Sequence, residues 1–507
     1  MIILEMLKEN TTEIQQKKII LIDGHSHLGK DVDGQQNMNP LAPGGTFDFY
    51  AKINTKLRSL IGDKELTYEI NYEGQNYIFN FKFVPFNFTY LIYDKISEIC
   101  KCGGHKELIN KFLNSWIVDQ GVVFPFQDVF RQRKEEAEYR ASNLNISRVT
   151  TTFPNSLRLI GYARVTPSER ERAVNEVKFA VEQLGLRGLK LHPRSDGWLD
   201  KVTEQFVIDV LAEAARHSIP VLFDTRGKKS ILDIYEVTKK TRAFLQKSNP
   251  NLVKHLKVII GHCAAGNIGD EEVYAAIADE NTIGEISMMH GLACRQFYIT
   301  FKNWFNQTHR NKRTWSENLI FGSDYPYFFE KHAADNIFFL LSKEFFENGG
   351  KLTDTANILG INMIRLLPEY SIPHKQEEDV KSQSAYIQNK DNTSSTDIIA
   401  EAIAALIEYK VLNPTKLNYM FNKDYYDLNE EILIDCTSIK NPNFRSKLLA
   451  MDILNNTKIM KKFRKDDEFK PLGGYKFFSP KDRIFLHSDI ILNNPIHVFN
   501  HFKESYI

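Results

Sequence analysis

The sequence predicts an α/β protein: a (β/α)8 TIM barrel with an insertion after strand 1 and a separate C-terminal domain. Eight short runs rich in Ile, Leu and Val alternate with longer segments that are charged on one face and apolar on the other. Such runs suit parallel strands buried on both faces, and eight strand–helix repeats close a barrel. An open doubly wound sheet is the alternative, but no glycine-rich phosphate loop follows the first strand.

The eight apolar runs are the candidate strands. They lie at residues 18–23, 121–126, 159–165, 188–191, 220–223, 257–261, 282–285 and 319–322. Segments with helical periodicity separate them, among them residues 168–184, 201–217 and 230–247. The barrel domain is therefore expected to span residues 1–373.

Two regions depart from the repeat. Residues 40–114 form an insertion, in which alternating apolar residues on both sides of Gly74 predict a β-hairpin at residues 68–83. Because it leaves from the carboxyl end of strand 1, the insertion is interpreted as a lid, with a plain surface insertion as the alternative. Residues 374–396 have the polar composition of a linker, and residues 397–507 are expected to form an α+β or mostly helical domain without an assigned function.

Charge and cysteine content narrow the class of protein. Hydrophobic residues make up 42% of the 507 residues and the net charge is +1, so bulk charge favours neither nucleic acid nor a membrane surface as a partner. The basic run at residues 458–465 is interpreted as a solvated helix face. Five scattered cysteines, with no secretory signal segment and no apolar run of spanning length, predict a soluble protein with reduced thiols in the cytoplasm. A homo-oligomer is left open.

A His-x-His pair at the end of the first candidate strand is the most informative motif. His25 and His27 follow an apolar run that ends in Asp23-Gly24. Residues i and i+2 of an extended chain point to the same side, so both imidazoles can reach one metal ion. Neutral imidazole is a good ligand for zinc and similar ions, although an isolated pair is a weak signal.

Further chemically active side chains stand at the ends of later candidate strands, which a barrel brings to one face. In chain order these residues are Arg164, Lys190, His192, Asp224, His262, Glu285 and Asp324. Each alone has a structural explanation, such as a buried His bonded to backbone or an Asp that caps a helix. Two His after strand 1, one after strand 6 and an Asp after strand 8 are together hard to explain by core packing.

At these residues the chain resembles the amidohydrolase superfamily, in its amidohydrolase-related branch. The matching stretches are residues 23–29, 185–193, 219–223, 258–262, 320–326 and 358–366. The resemblance implies that His25, His27 and Asp324 bind a divalent metal ion, with zinc favoured. It implies that His262 orients the substrate or binds a second ion, and that Asp324 also accepts a proton from metal-activated water.

The chain departs from the family pattern at strand 5, where Asp224 stands in place of the usual His ligand. Asp224 is interpreted as a harder ligand that makes manganese or iron the alternatives to zinc, with outward pairing to Arg226 as the other interpretation. Lys190 aligns with a lysine that some relatives carboxylate, and it or His192 could line the site. Arg226 and Arg164 are candidate anchors for a substrate carboxylate, and Glu285 is a candidate substrate contact or supporting residue.

The favoured function is a metal-dependent hydrolase acting on a small molecule with an amide, lactone or related carbonyl-type group. A non-oxidative decarboxylase of a small carboxylic acid on the same fold is the nearest alternative, since fold cannot separate the two. A catalytically degenerate barrel that binds a ligand or partner is the third hypothesis, and Asp224 is its best support.

Overall fold

The structure is a computed structural model, and it describes residues 2–30, 37–38, 44–62, 65–83, 117–126, 137–150, 159–308 and 312–368. The predicted linker at 374–396 and the predicted domain at 397–507 lie outside the described residues, as does the part of the insertion at 84–116.

The described strands and helices alternate over most of the chain. The strands are β1 (Ile2–Lys8), β2 (Ile14–Ile19), β3 (Ile22–Lys30), β4 (Asn37–Met38), β5 (Glu65–Tyr72), β6 (Gln75–Phe83), β7 (Gln120–Pro125), β8 (Leu159–Gly161), β9 (Ala163–Arg164), β10 (Leu189–Leu191), β11 (Val221–Phe223), β12 (Val258–Ile260), β13 (Thr282–Glu285) and β14 (Leu319–Ile320). The α-helices are Gly44–Ile61, Arg140–Thr150, Glu171–Glu182, Gln205–Arg216, Gly227–Ser248, Glu271–Ile277, Gly291–Thr308, Glu330–Leu341, Lys343–Glu347, Leu352–Ala356 and Asn362–Leu366.

The central sheet is parallel and closes on itself. From β9 to β14 each strand pairs with the next one in the chain, and β3 pairs in parallel with β7, which pairs with β8. Tyr162 joins β8 to β9, so these two form one barrel strand. Between β14 and β3, the Gly24 N–H donates to the Phe321 carbonyl (3.0 Å) and the Asp324 N–H donates to the His25 carbonyl (2.7 Å). The predicted α/β fold with parallel strands is confirmed, and the strand order is that of an eight-stranded barrel.

The barrel strands coincide with the predicted apolar runs, except at the first one. The run at 18–23 is divided between the end of β2 and the start of β3, and β3 continues to Lys30. The longer strand arises because β3 pairs with β7 as far as the Leu28–Pro125 partners, with a register shift between Asp23 and Ser26. His25 and His27 therefore lie within β3 rather than after it. Among the described residues, no helix is both long and apolar enough to cross a membrane.

The predicted hairpin in the insertion forms, but it does not cover the carboxyl ends of the barrel strands. β5 and β6 pair antiparallel, and β6 also pairs with β1 in a four-stranded sheet. The Tyr68 hydroxyl donates to the Leu341 carbonyl (2.6 Å), at the carboxyl end of the helix that follows β14. Because barrel helices run opposite to the strands, this contact lies at the strands' amino ends. The lid interpretation is therefore wrong for the hairpin.

Candidate functional site

The candidate site lies at the carboxyl ends of the barrel strands. His25 and His27 come from β3, and Lys190 lies in β10. Later strands contribute the residues at or just beyond their ends: Asp224, His262, Glu285 and Asp324. Two of these residues, His262 (φ 53°) and Asp324 (φ 52°), have left-handed backbone conformations. Non-glycine residues rarely adopt such conformations, and they concentrate at functional sites.

Three histidines converge on the carboxylate of Asp324. The Nε2 atoms of His25 and His27 lie 3.2 Å and 3.3 Å from Asp324 Oδ1, and His262 Nε2 lies 3.6 Å from Oδ2. One ligand atom from each of His25, His262 and Asp324 lies within 4.8 Å of the other two. His27 reaches Asp324 but falls outside that three-residue group. The structure thus brings together His262 with the two predicted ligands His25 and Asp324.

The chemistry of this donor set fits a divalent ion. Asp324 Oδ2 is buried, and no described residue donates a hydrogen bond to it. Burial opposes ionisation of Asp324, but the charges of His25 and His262 together with hydrogen bonds hold its pKa well below the usual value. Burial also lowers the pKa of His27 to about 3, so its imidazole is neutral. An ionised carboxylate beside imidazole nitrogens is the donor set that zinc and similar metals prefer.

Asp224 faces the site and contacts several partners through a single oxygen. Its Oδ1 lies 3.2 Å from His262 Nε2, 3.5 Å from His192 Nε2 and 3.6 Å from an Arg226 nitrogen. Burial raises the pKa of Asp224, but His192, His262 and Lys190 outweigh it and lower that pKa far below its usual value. Asp224 is therefore an ionised neighbour of His262 and is not part of the three-residue group.

Lys190 is fully buried beside His25. Its Nζ lies 3.1 Å from His25 Nε2 and 4.9 Å from the centre of the Phe124 ring. Burial lowers the pKa of Lys190 to about 8, against the opposing effect of Asp224 and Asp324. The Lys190 amine thus lies next to the candidate metal ligands, where it can interact with a substrate bound there.

Arg164, a predicted substrate anchor, is instead enclosed by protein. Its guanidinium pairs with Asp196 (2.9 Å) and donates to Ser195 Oγ (2.8 Å) and to the Pro125 carbonyl (3.3 Å). Only 1% of Arg164 is exposed. These contacts hold the loop that follows β10, and the Ser195 N–H of that loop donates to His192 Nδ1 (3.2 Å).

Arg226 is partly exposed, and aromatic rings pack around His27. The Arg226 side chain is 39% exposed, and its Nη1 lies 3.3 Å from Met288 Sδ. The His27 ring stacks on Phe126, with centroids 4.9 Å apart, and meets Tyr327 edge-on at 5.1 Å. Of the predicted substrate anchors, Arg226 is the one that remains accessible.

Sequence reasoning missed residues that hold the site together. Asp23 accepts hydrogen bonds from the Ser323 N–H (2.8 Å) and hydroxyl (2.6 Å), so it joins β3 to the segment carrying Asp324. Burial raises the pKa of Asp23 to about 6. Gly322 leaves room for the Glu285 carboxylate, since a Cβ there would come within 2.2 Å of Glu285 Oε1. Asp23 lies two residues before His25, and Gly322 lies two residues before Asp324. Their positions beside the candidate ligands were the sequence signal that could have identified them.

A family model provides the first comparison with known proteins. Residues 120–341 match the model described as Amidohydrolase. The resemblance inferred from the motifs is thereby confirmed over that range. His25 and His27 precede the matched residues, and only the fold places them beside His262 and Asp324. No curated protein sequence is detectably similar to the chain.

Solved structures offer more distant likenesses. A 5-carboxyvanillate decarboxylase from Sphingomonas paucimobilis is 13% identical, with 69% of this chain and 99% of that chain covered and a TM-score of 0.36. An uncharacterised TIM-barrel protein from Bordetella bronchiseptica is 15% identical, with 69% and 98% covered and a TM-score of 0.37. A putative amidohydrolase from Staphylococcus aureus is 18% identical, with 52% and 92% covered and a TM-score of 0.35. Likenesses this distant say nothing about the substrate.

Proposed function

We propose that this protein is a metal-dependent hydrolase that uses an activated water on an amide, lactone or related carbonyl-type substrate. A divalent ion, zinc by preference, would be held by His25, His262 and Asp324, with His27 beside them on Asp324. The observation that supports this proposal is the convergence of three imidazole Nε2 atoms on one buried carboxylate. Buried histidines that served only packing would have no reason to share one acidic partner.

Asp324 is the proposed proton acceptor. When bound, a divalent ion would polarise the substrate carbonyl and lower the pKa of water toward about 7. Asp324 is ionised, and its Oδ2 receives no hydrogen bond from the described residues, so that oxygen can take a proton and pass it to the leaving group. Lys190 contributes charge beside His25, and Arg226 can orient an anionic group of the substrate at the open side.

Decarboxylation of a small carboxylic acid is the second candidate, and Arg226 is the observation that favours it. A decarboxylase needs an anchor for the carboxylate that leaves as carbon dioxide, whereas hydrolysis of a neutral amide does not. The accessible guanidinium of Arg226, which lies 3.6 Å from Asp224 Oδ1, can supply that anchor.

Elemental analysis and product analysis together test these proposals. Purified protein from metal-replete medium should contain about one to two divalent ions per chain, and chelation should abolish turnover. Small amides, lactones and aromatic acids are then incubated with the metal-loaded enzyme, and hydrolysis products and carbon dioxide are measured separately. Release of carbon dioxide without water-dependent cleavage would favour the decarboxylase. Protein without metal would leave the ligand-binding barrel as the better hypothesis.

A further inference from the structure

We infer that Glu285 and Ser287 form a positioning unit that fixes the tautomers of both His25 and His262, so that both Nε2 lone pairs face Asp324. Neither residue belongs to the candidate ligand group of His25, His262 and Asp324. The inference rests on the proposed metal-dependent function and adds to it the residues that set how tightly the ion is held.

The Glu285 carboxylate accepts four hydrogen bonds. Its Oε2 receives hydrogen bonds from His25 Nδ1 (2.9 Å), the His262 N–H (3.1 Å) and the Ser287 hydroxyl (2.9 Å). Its Oε1 receives one from the Ser287 N–H (2.6 Å). The carboxylate is fully buried, so it holds its position through these four donors rather than through solvent.

The direction of each hydrogen bond follows from the chemistry of the groups. An ionised carboxylate only accepts, so His25 must carry its proton on Nδ1. The single hydroxyl hydrogen of Ser287 goes to Glu285, which leaves the Ser287 oxygen to accept from His262 Nδ1 at 2.7 Å. His262 therefore also carries a proton on Nδ1. In their neutral forms, both rings then offer an Nε2 lone pair.

Both Nε2 atoms lie close to carboxylate oxygens, and His25 Nε2 also lies 3.1 Å from the Lys190 amine. His25 Nε2 lies 3.2 Å from Asp324 Oδ1, and His262 Nε2 lies 3.2 Å from Asp224 Oδ1. A lone pair set against a carboxylate oxygen is repulsive unless a proton or a metal ion lies between the two atoms. Orienting carboxylates behind histidine ligands serve this purpose in metal sites. Here one carboxylate orients two histidines, one directly and one through Ser287.

The test compares the metal affinity of four variants with that of the wild type. Zinc and cobalt(II) dissociation constants are measured by competition with a chelator, and the absorption spectrum of the cobalt(II) form reports ligand geometry. Glu285→Gln should weaken zinc binding about 10- to 100-fold, because the amide presents one acceptor oxygen to four donors. Ser287→Ala should weaken it less, because the His25 contact survives, and Ser287→Thr should retain affinity because the hydroxyl is kept.

Ser195→Ala is the matched control. Ser195 lies on the same rim and bonds to Arg164, outside the Glu285 network. The zinc affinity and cobalt(II) spectrum of Ser195→Ala should equal those of the wild type, whereas Ser287→Ala should change both. The metal-free forms of the two variants and the wild type should have similar melting temperatures. Wild-type affinity in Ser287→Ala and Glu285→Gln would overturn the positioning role and leave the proposed function standing. A wild type that binds neither metal would overturn both.

Discussion

Replacing Gly322 with alanine tests how closely the site is packed. A Cβ at this position would lie 2.2 Å from Glu285 Oε1 and 2.9 Å from His25 Cβ. The glutamate cannot move aside cheaply, because four donors hold its carboxylate. Overpacking a core typically costs about 1–3 kcal/mol. Breaking a buried hydrogen bond to a charged group adds about 1.5–3 kcal/mol. Gly322→Ala should therefore lower the free energy of unfolding by about 2.5–6 kcal/mol.

The assay is urea unfolding of the metal-free proteins, followed by tryptophan fluorescence, with zinc affinity as the second measurement. Gly74→Ala is the control: Gly74 has φ 79° and nothing within 4 Å of an added Cβ. An alanine there should cost only about 1–2 kcal/mol for its left-handed backbone. It should leave zinc affinity unchanged, whereas Gly322→Ala should weaken it. The reasoning fails if Gly322→Ala is as stable as the wild type, or if both variants bind zinc equally well.

Three further predictions concern single side chains. Asp324→Asn should abolish turnover more completely than zinc binding, because asparagine tolerates the left-handed backbone and keeps an oxygen but cannot accept the proton. Metal content and reaction rate are measured on the same preparation. Equal rates in the variant and the wild type would exclude Asp324 as the base. Asp224→His should shift metal preference toward zinc, measured by competition between zinc and manganese, because it would add an imidazole, a softer donor, next to His262. Unchanged metal content and rate in Asp224→Ala would show that this carboxylate has no functional role. Burial lowers the pKa of Lys257 from 10.5 to about 8, so between these values the unfolded chain binds more protons and stability rises with pH. Relative to Lys257→Met, the wild type should gain about 2–3 kcal/mol between pH 8 and 10.5 in urea unfolding, and a constant difference would contradict the buried-charge explanation.

Local pattern was sufficient to predict the strands and the spacing of the ligand motifs. Buried parallel strands must be apolar on both faces, so the runs that became β10 to β13 stand out from the amphipathic helices between them. The His-x-His pair and the residues after β12 and β14 were recognisable because a barrel exposes reactive groups at strand ends. Sequence also predicted the hairpin around Gly74, since a turn with left-handed residues at Glu73 and Gly74 (φ 50° and 79°) joins alternating strands.

The positions of these strands and side chains in space depend on contacts between residues far apart in the chain. The hairpin's own pattern is the same on either face of a barrel, and only pairing with β1 and the contact at Leu341 place it at the amino ends. Glu285 was a candidate substrate contact by position, but its distance to His25, 260 residues away, makes it a partner of the ligands instead. Likewise, the sequence places both Arg164 and Arg226 near strand ends, and only their different burial shows which one is accessible to a substrate. Sequence determines which groups are available because strand and motif patterns are local, whereas tertiary packing decides which groups meet, which face solvent and which tautomer each histidine adopts.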